Sequence, residues 1–487
     1  MPGTVDGDSG LGIPLGVGKP IPFVKELYRR TCGNPARRAQ LVTALSLEMP
    51  AGHGELERHF LRPPVERVFG DRTDLEYVKD SRAGRLTPNI EVHEFFMETG
   101  DYFGNEQAQQ NCISTGCTSA ARYIAASGMN AMAQAVMAQA VVAHEAGGVL
   151  RLNLSSNLDV SGEPAERIAA RGRQLLKIAV INRQNPCMPN SVEFVPGFFD
   201  MEVDDPAATH TVFGPPNGKV GTVDCAFGLH AASVEPGDDR LKREQRRRVR
   251  FINTTMNATL PDAACSDAPK SGQVVSGVGG QFNFVAMSHA LPDARLLMML
   301  RSTHDNKDGL KRSFAGSYGH VTIARHLRDI VITEYGVADL RGQHDGEVIK
   351  RLIAVADSRF QDGLIKGSQA HGKLEAGWEL AERNSNKPPP ALEDKRPPSA
   401  DAGPLPDFPF GTDFTEDELH IVRALKKLKR ANEHPIELAQ TAQTAQVTVR
   451  SLREGMQAPQ ACLERLGLAE AHSLKDLFVQ RLFADNL

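Results

Sequence analysis

VVSGVGGQFNF, residues 274–284, runs from a β-branched pair, Val274 and Val275, through Gly277, Gly279 and Gly280 into Gln281 and two aromatics. A short apolar run that ends in glycines is how an α/β layer protein leaves a strand, and a main chain without Cβ atoms lets N–H groups approach an anionic oxygen. Gly277, Val278, Gly279, Gly280 and Gln281 are therefore a candidate loop for a phosphate or a thioester oxyanion, and a plain tight turn accounts for them equally. As a dinucleotide fingerprint they are broken: the motif reads G-x-G-x-x-F, without the third glycine that seats a helix on its strand.

Outward from the loop the same pattern continues. GQVVSG, which leads into the loop, and ARLLMMLRS, GHVTIA and DIVITEYG downstream read as strands. Glu334 follows Ile330-Val331-Ile332 directly, at the carboxyl end of its strand, where α/β proteins place ligand sites. Upstream, helical stretches such as LERHFLRPPVERVF alternate with apolar runs such as VLRLNLSSN and IAVINRQN. We expect a flexible leader over 1–19, an α/β domain over 20–235, a charged connector over 236–250 and a second α/β domain over 251–385. A proline-rich linker over 386–411 and a helical extension over 412–487 follow, the latter with Leu419, Val422, Leu425 and Leu428 on one face. The most apolar helical stretch, Met129 to Ala146, is broken by Asn130, Gln134 and Gln139 and is too short and polar to span a bilayer.

Composition removes several function classes. With 487 residues and a formal charge of −4, the chain has more than one ordinary core and no electrostatic case for nucleic acid. Its seven cysteines are odd in number and dispersed, which predicts free thiols and no metal tetrad. Lys19 lacks the glycine spacing of a P-loop and precedes Pro20, His144-Glu145 has Gly148 where a second zinc histidine would stand, and no G-x-S-x-G elbow occurs. The N-terminal residues carry neither a basic nor an apolar signal region, so the expectation is a soluble, cytoplasmic protein without membrane partners.

SGVGGQFNFV followed some fifty residues later by VITEYGVADLRG resembles the C-terminal half of the acetyl-CoA hydrolase/CoA-transferase family, related to the family I CoA-transferases. GKPIPFVKELYRR, GDYFGNEQAQQNCIS and FGPPNGKVGTVDCAFGLHAAS resemble its N-terminal segments, and DSRF at Asp357 to Phe360 continues the C-terminal ones. The resemblance implies two related α/β domains, an acyl-CoA substrate bound between them, and in the transferases a glutamate that takes the acyl group. It places the loop 277–281 against the acyl-CoA and makes Glu334 the candidate catalytic carboxylate. Asn105, in FGNEQAQQN, falls in a segment similar to the family's cleft loop. The partners implied are an acyl-CoA and a carboxylate acceptor; no cofactor is permanently bound, coenzyme A entering as the thioester, and a homo-oligomer is left open.

Two departures from the family pattern matter. Asn257 stands where relatives carry the nucleophilic glutamate, and between Asn253 and Gly277 only Asp262 and Asp267 are acidic, both out of register. The stretch joining Ser233 to Phe251 is also short relative to the family. Three readings follow: a short-chain acyl-CoA hydrolase or CoA-transferase in which Glu334 acts as base or substitute nucleophile; an acyl-CoA-binding relative without turnover; and, resting on the broken fingerprint, a dinucleotide-dependent oxidoreductase. His320 and Asn283 are given no catalytic role.

Overall fold

The computed structural model describes residues 8–206 and 247–385, apart from short interior gaps, and parts of 412–483. These fall into two compact units: the described residues of 8–48, 74–206 and 247–385 form one, and those of 49–73 and 412–483 the other. The linker 386–411, most of the charged connector and the segment FGPPNGKVGTVDCAFGLHAAS lie outside the described residues. Among the described residues no helix is long and apolar enough to cross a membrane.

The first unit begins with an eight-stranded sheet in which β3 (Ile90–Glu94), β2 (Ala39–Thr43), β1 (Ser9–Gly12) and β4 (Gln134–Ala146) are neighbours in parallel. β4 pairs with β5 (Val149–Asn153) antiparallel and with β6 (Leu175–Ile181) parallel; β7 (Glu193–Phe194) and β8 (Met201–Val203) extend those two branches. Residues 9–12, expected within a flexible leader, are instead a central strand, buried at every position. SGLG carries too little hydrophobic pattern to announce a strand, but its small residues fit between two neighbours that cover it on both sides.

Met129 to Ala146 holds the second correction, since 134–146 form a thirteen-residue strand, not a helix. Val136, Ala138 and Ala140 are fully buried at every second position, between β1 and β6. A run apolar on both faces has no period to separate helix from strand, and the β-branched Val136, Val141 and Val142 favour the pleat.

The same unit continues with a four-stranded sheet ordered β17 (Gly336–Asp339), β16 (Ile330–Thr333), β12 (Arg295–Met299), β9 (Arg250–Thr254), in which β9, β12 and β16 are parallel. Beside it lie a small sheet of β11 (Ala264–Cys265), β10 (Asn257–Thr259) and β15 (Phe314–Ala315), and the hairpin β13 (Thr303–Asn306) to β14 (Gly309–Arg312). The helices used below are α1 (Glu106–Asn111), α2 (Gln281–Ala290), α3 (Asp345–Ala354) and α4 (Ser358–Ala370). α3 buries Val348, Ile349, Leu352 and Ile353, an i, i+4 stripe packed on Phe251, Leu296, Met298 and Val331. GQVVSG and GHVTIA, read as strands, form none. Val275 donates its N–H to Asp267 O at 2.8 Å and accepts from Gly100 N at 3.0 Å, so loop partners take the groups a ladder would need.

In the second unit the helix Glu55–Phe69 packs with Glu416–Glu433 and Gln460–Arg465 around Phe60, Ile421, Ala424, Leu463 and Phe483. The helical expectation for the tail is met there, with the buried stripe turned toward Ile421 and Ala424 while Leu419 is also buried. Residues 49–73, expected inside the first α/β domain, belong to this unit.

Candidate active site

β9, β12 and β16 run parallel, so their carboxyl ends share one edge of the sheet. Glu334 and Tyr335 make the two-residue turn from β16 into β17, where Thr333 faces Gly336. Three bonds hold that turn: Thr333 Oγ1 donates to Val355 O at 2.7 Å, Tyr335 N donates to Thr333 Oγ1 at 3.1 Å, and the Tyr335 hydroxyl donates to Asp357 Oδ2 at 2.6 Å. Glu334 is exposed, and the Ser302 N–H donates to both its oxygens, at 3.1 and 2.9 Å.

Ser302 is itself fixed. It is 1% exposed, and its Oγ accepts from the Asp357 N–H at 2.6 Å. Asp357 caps α4 by accepting from Arg359 N at 2.9 Å, and the Arg359 guanidinium grips both its oxygens at 2.9 and 2.6 Å. Burial works against the Asp357 charge, but the bonds from Arg359 and Tyr335 outweigh it and hold the carboxyl below its ordinary value. Burial, and then the bond to Asp357, push the Tyr335 phenol up, so it stays a protonated donor.

The glycine loop approaches another part of the chain. A Cβ on Gly277 would lie 2.6 Å from Phe95 O and Phe96 Cα; one on Gly279, where φ is +60°, would lie 2.7 Å from the Phe96 ring. Gly279 also bridges to Gly116 as in a parallel sheet. The Gln109 side chain, on α1, donates to Val274 O at 2.9 Å and accepts from Val274 N at 2.7 Å, copying a strand pair. Gly277 and Gly279 are thus glycine because the segment after β3 packs against them. Val278 is half-buried, and Gly280 is the N-cap of α2.

Gln281, first residue of α2, is buried and donates to Thr254 O at 2.9 Å, which ties the helix start to the carboxyl end of β9. Its Oε1 and the nearby Asn253 Nδ2 are buried with no hydrogen-bond partner among the described residues. β9 and β16 are two strand spacings apart, about 10 Å, so the start of α2 and Glu334 face the same edge.

The remaining candidates have structural partners. Asn257, in β10, donates from Nδ2 to the Tyr318 hydroxyl at 3.2 Å, and its carbonyl accepts from Thr255 Oγ1 at 3.1 Å. Asn105 caps α1, accepting from Ala108 N at 2.9 Å, and donates to Ser81 O at 2.5 Å. It borders a cleft of about 480 Å³ shared with Arg82, Phe103 and Gln110. Ser302 and Phe96 had no signal in the sequence.

A second buried polar group, also unforeseen, sits at the ends of β2 and β3. Lys19 is 1% exposed and donates to Ala44 O at 2.6 Å and Leu45 O at 3.3 Å, Leu45 holding φ of +47°. Glu94 accepts from Ser46 Oγ, which also shares a 2.7 Å bond with the Tyr77 hydroxyl. Burial raises the Glu94 pKa, with Lys19 opposing.

Residues 224–368 match the family model of the acetyl-CoA hydrolase/transferase C-terminal domain. A probable butyrate:acetyl-CoA coenzyme A-transferase of Syntrophomonas wolfei is 28% identical over 121 residues, 24% of this chain and 27% of that protein. A 4-hydroxybutyrate coenzyme A transferase of Clostridium kluyveri is 30% identical over 116 residues, 23% of this chain. The chain therefore matches 27% of the length of these curated relatives. Two mutant forms of RipA, a protein of Yersinia pestis, superpose with TM-scores of 0.52 and 0.53 at 15% and 14% identity, over 76% of this chain and 96% of theirs. At that identity the likeness is one of fold alone. The matched residues 224–368 hold the glycine loop, Ser302, Glu334 and Asp357, so it is this part of the chain that is similar to the acetyl-CoA hydrolase/transferase C-terminal domain.

Proposed function

We propose that this chain acts on a short-chain acyl-CoA thioester, as a CoA-transferase or an acyl-CoA hydrolase, with Glu334 as the reacting carboxylate. The observation that carries the reading is the setting of Glu334. It is exposed at the carboxyl edge of a parallel sheet, and its position is fixed by Ser302 N–H. The start of α2 faces the same edge, and an α-helix leaves its first-turn N–H groups without helical partners, which suits a developing oxyanion.

As nucleophile, a Glu334 oxygen adds to the thioester carbonyl and CoA leaves as thiolate, giving an acyl-glutamyl anhydride. The thiolate then attacks the glutamyl carbonyl, releasing the acid and forming a glutamyl thioester. An acceptor carboxylate reverses the sequence onto a new acyl group. As base, Glu334 instead takes a proton from water while the oxygen adds, and CoA leaves and is protonated. Both routes need no permanently bound cofactor. Asn257 serves neither, because an amide bonded to Tyr318 is a poor nucleophile and no base.

The test is to incubate the protein with acetyl-CoA, with and without a carboxylate acceptor, following thiol release and acyl exchange. Exchange with a borohydride-reducible adduct at Glu334 supports transfer; thiol release without an adduct supports hydrolysis. Binding of acetyl-CoA without either reaction removes the catalytic reading and leaves an acyl-CoA-binding protein.

A further inference from the structure

We infer that His144, Cys187 and Glu193 form a binding site for a divalent transition cation of the zinc type, on the first sheet and not on the one that carries Glu334. One ligand atom from each residue lies within 4.8 Å of the other two. Zinc holds such atoms at about 2.0–2.3 Å, which sets tetrahedral ligands about 3.3–3.8 Å from one another. Side-chain shifts of about 1 Å therefore seat the ion, and all three side chains are at least partly exposed and can make them. The donor set selects the metal. A thiolate and an imidazole suit zinc and its neighbours, and with a single carboxylate they give no oxygen cage for magnesium or calcium.

The sheet brings the three together. His144 of β4 faces Arg151 of β5, and Asn153 of β5 faces Glu193 of β7. Opposed residues share a face, and alternate residues on a strand do too, so His144, Arg151, Asn153 and Glu193 all stand on the face away from the core of Val141, Leu152 and Phe194. His144 Nε2 and Glu193 Oε1 meet over β5 at 2.6 Å. Cys187 is held from its N-terminal side: Asn182 N donates to Val141 O at 2.8 Å, and Asn182 Nδ2 to Asn185 Oδ1 at 3.0 Å, which fastens the turn after β6 to β4. No local spacing announces the group, because β5 and β6 lie between His144 and Cys187 in the chain.

The neighbours prepare Glu193 as a ligand. Asn153 Nδ2 donates to its Oε1 at 3.1 Å, and the Arg151 guanidinium stands 3.7 Å from its Oε2, an outer shell that orients the carboxylate. The bonds from Asn153 and then His144 keep its carboxyl below the ordinary range, so it is charged at neutral pH. The same three residues do not make a nucleophilic thiol: desolvation, and then the Glu193 charge, push the Cys187 thiol up, whereas such a nucleophile needs a lowered one. A divalent ion reverses that balance. The Cys187 proton passes to solvent as sulfur bonds the metal, and water takes the fourth position.

Titration of the chelator-treated full chain with Co²⁺ and with Zn²⁺ tests this. Co²⁺ takes the same ligands and reports them by colour, a thiolate adding charge-transfer absorption and a tetrahedral site adding strong visible bands. The wild-type protein is expected to bind one equivalent with both features, to release the colour when Zn²⁺ displaces Co²⁺, and to gain Tm with Zn²⁺. Cys187→Ser, a change of one atom at an exposed position, should abolish the thiolate absorption. Cys187→Ser and His144→Ala should each weaken Zn²⁺ at least about tenfold, since even an outer-shell partner is worth that much. A wild-type chain that shows no thiolate absorption overturns the site. Absorption and Tm gain that persist in both variants place the ion elsewhere and overturn it too. Binding lost in Cys187→Ser but untouched in His144→Ala makes Cys187 a solitary thiol ligand and His144–Glu193 an ordinary ion pair, which overturns the three-residue assignment.

Discussion

Glu334 and Gly279 play opposite parts: one exposes a functional group, the other removes a side chain. Ser302 N–H can donate to an amide oxygen as well as to a carboxylate, so Glu334→Gln should leave stability within about 0.5 kcal/mol of wild type. Thiol release from acetyl-CoA should fall on the order of 10²-fold or more, the usual loss when a reacting base is removed. Unchanged release in a folded Glu334→Gln protein would sink the proposed role. Gly279→Ala works the other way. Its φ of +60° strains any L side chain and the new methyl group meets the Phe96 ring at 2.7 Å, so we expect a loss of about 2–4 kcal/mol in denaturant unfolding. Glu334 was legible in the sequence because it ends an apolar strand. The partner of the glycines was not, since Phe96 lies more than 180 residues earlier and no local pattern links the two.

At the scale of elements, the β16–β17 turn depends on α4. Asp357 caps that helix, receives the Tyr335 hydroxyl and fixes Ser302, so one carboxylate ties a helix, a hairpin and the edge of β12 together. Its folded pKa is depressed below the ordinary 3.8 by Arg359 and Tyr335 against burial. The stability it supplies is therefore complete above about pH 4 and is lost as pH falls through the lowered value. Asp357→Asn should cost about 2 kcal/mol at neutral pH and flatten the acid limb of the stability profile. A variant whose acid limb follows that of wild type would show that other carboxylates set it. DSRF was visible in the sequence, but its bond to Ser302 spans 55 positions and was not. β4 shows the opposite limit. Its residues were read as part of an apolar helix, because a run without a clear hydrophobic period does not show whether it forms helix or strand.

For the whole molecule, the sequence reading divided the chain by composition, whereas the compact units follow packing. The described residues of both α/β regions fall in one unit and those of the helical tail in the other, and no local pattern joins 49–73 to that tail, because one amphipathic helix looks like another until its partner is known. Beside the apolar cluster around Phe60 and Ile421, Glu418 ties the two segments together. It is 2% exposed, receives Arg67 at 3.0 and 2.5 Å and Arg465 at 2.9 Å, and accepts from Thr415 N at 2.9 Å. These bonds overcome the burial that opposes its charge and keep its pKa low. Glu418→Gln leaves two arginines facing a neutral amide, and removing one partner of a buried ionic group typically costs 3–5 kcal/mol, so we expect about that loss within this unit. Every bond named for Glu418 stays inside the unit, so hydrogen exchange should quicken along 416–433 and 55–69 and stay unchanged in β12 and β16. Equal acceleration in β12 and β16 would mean that the two units unfold together, and Glu418 would then stabilise the whole chain through the helices it joins.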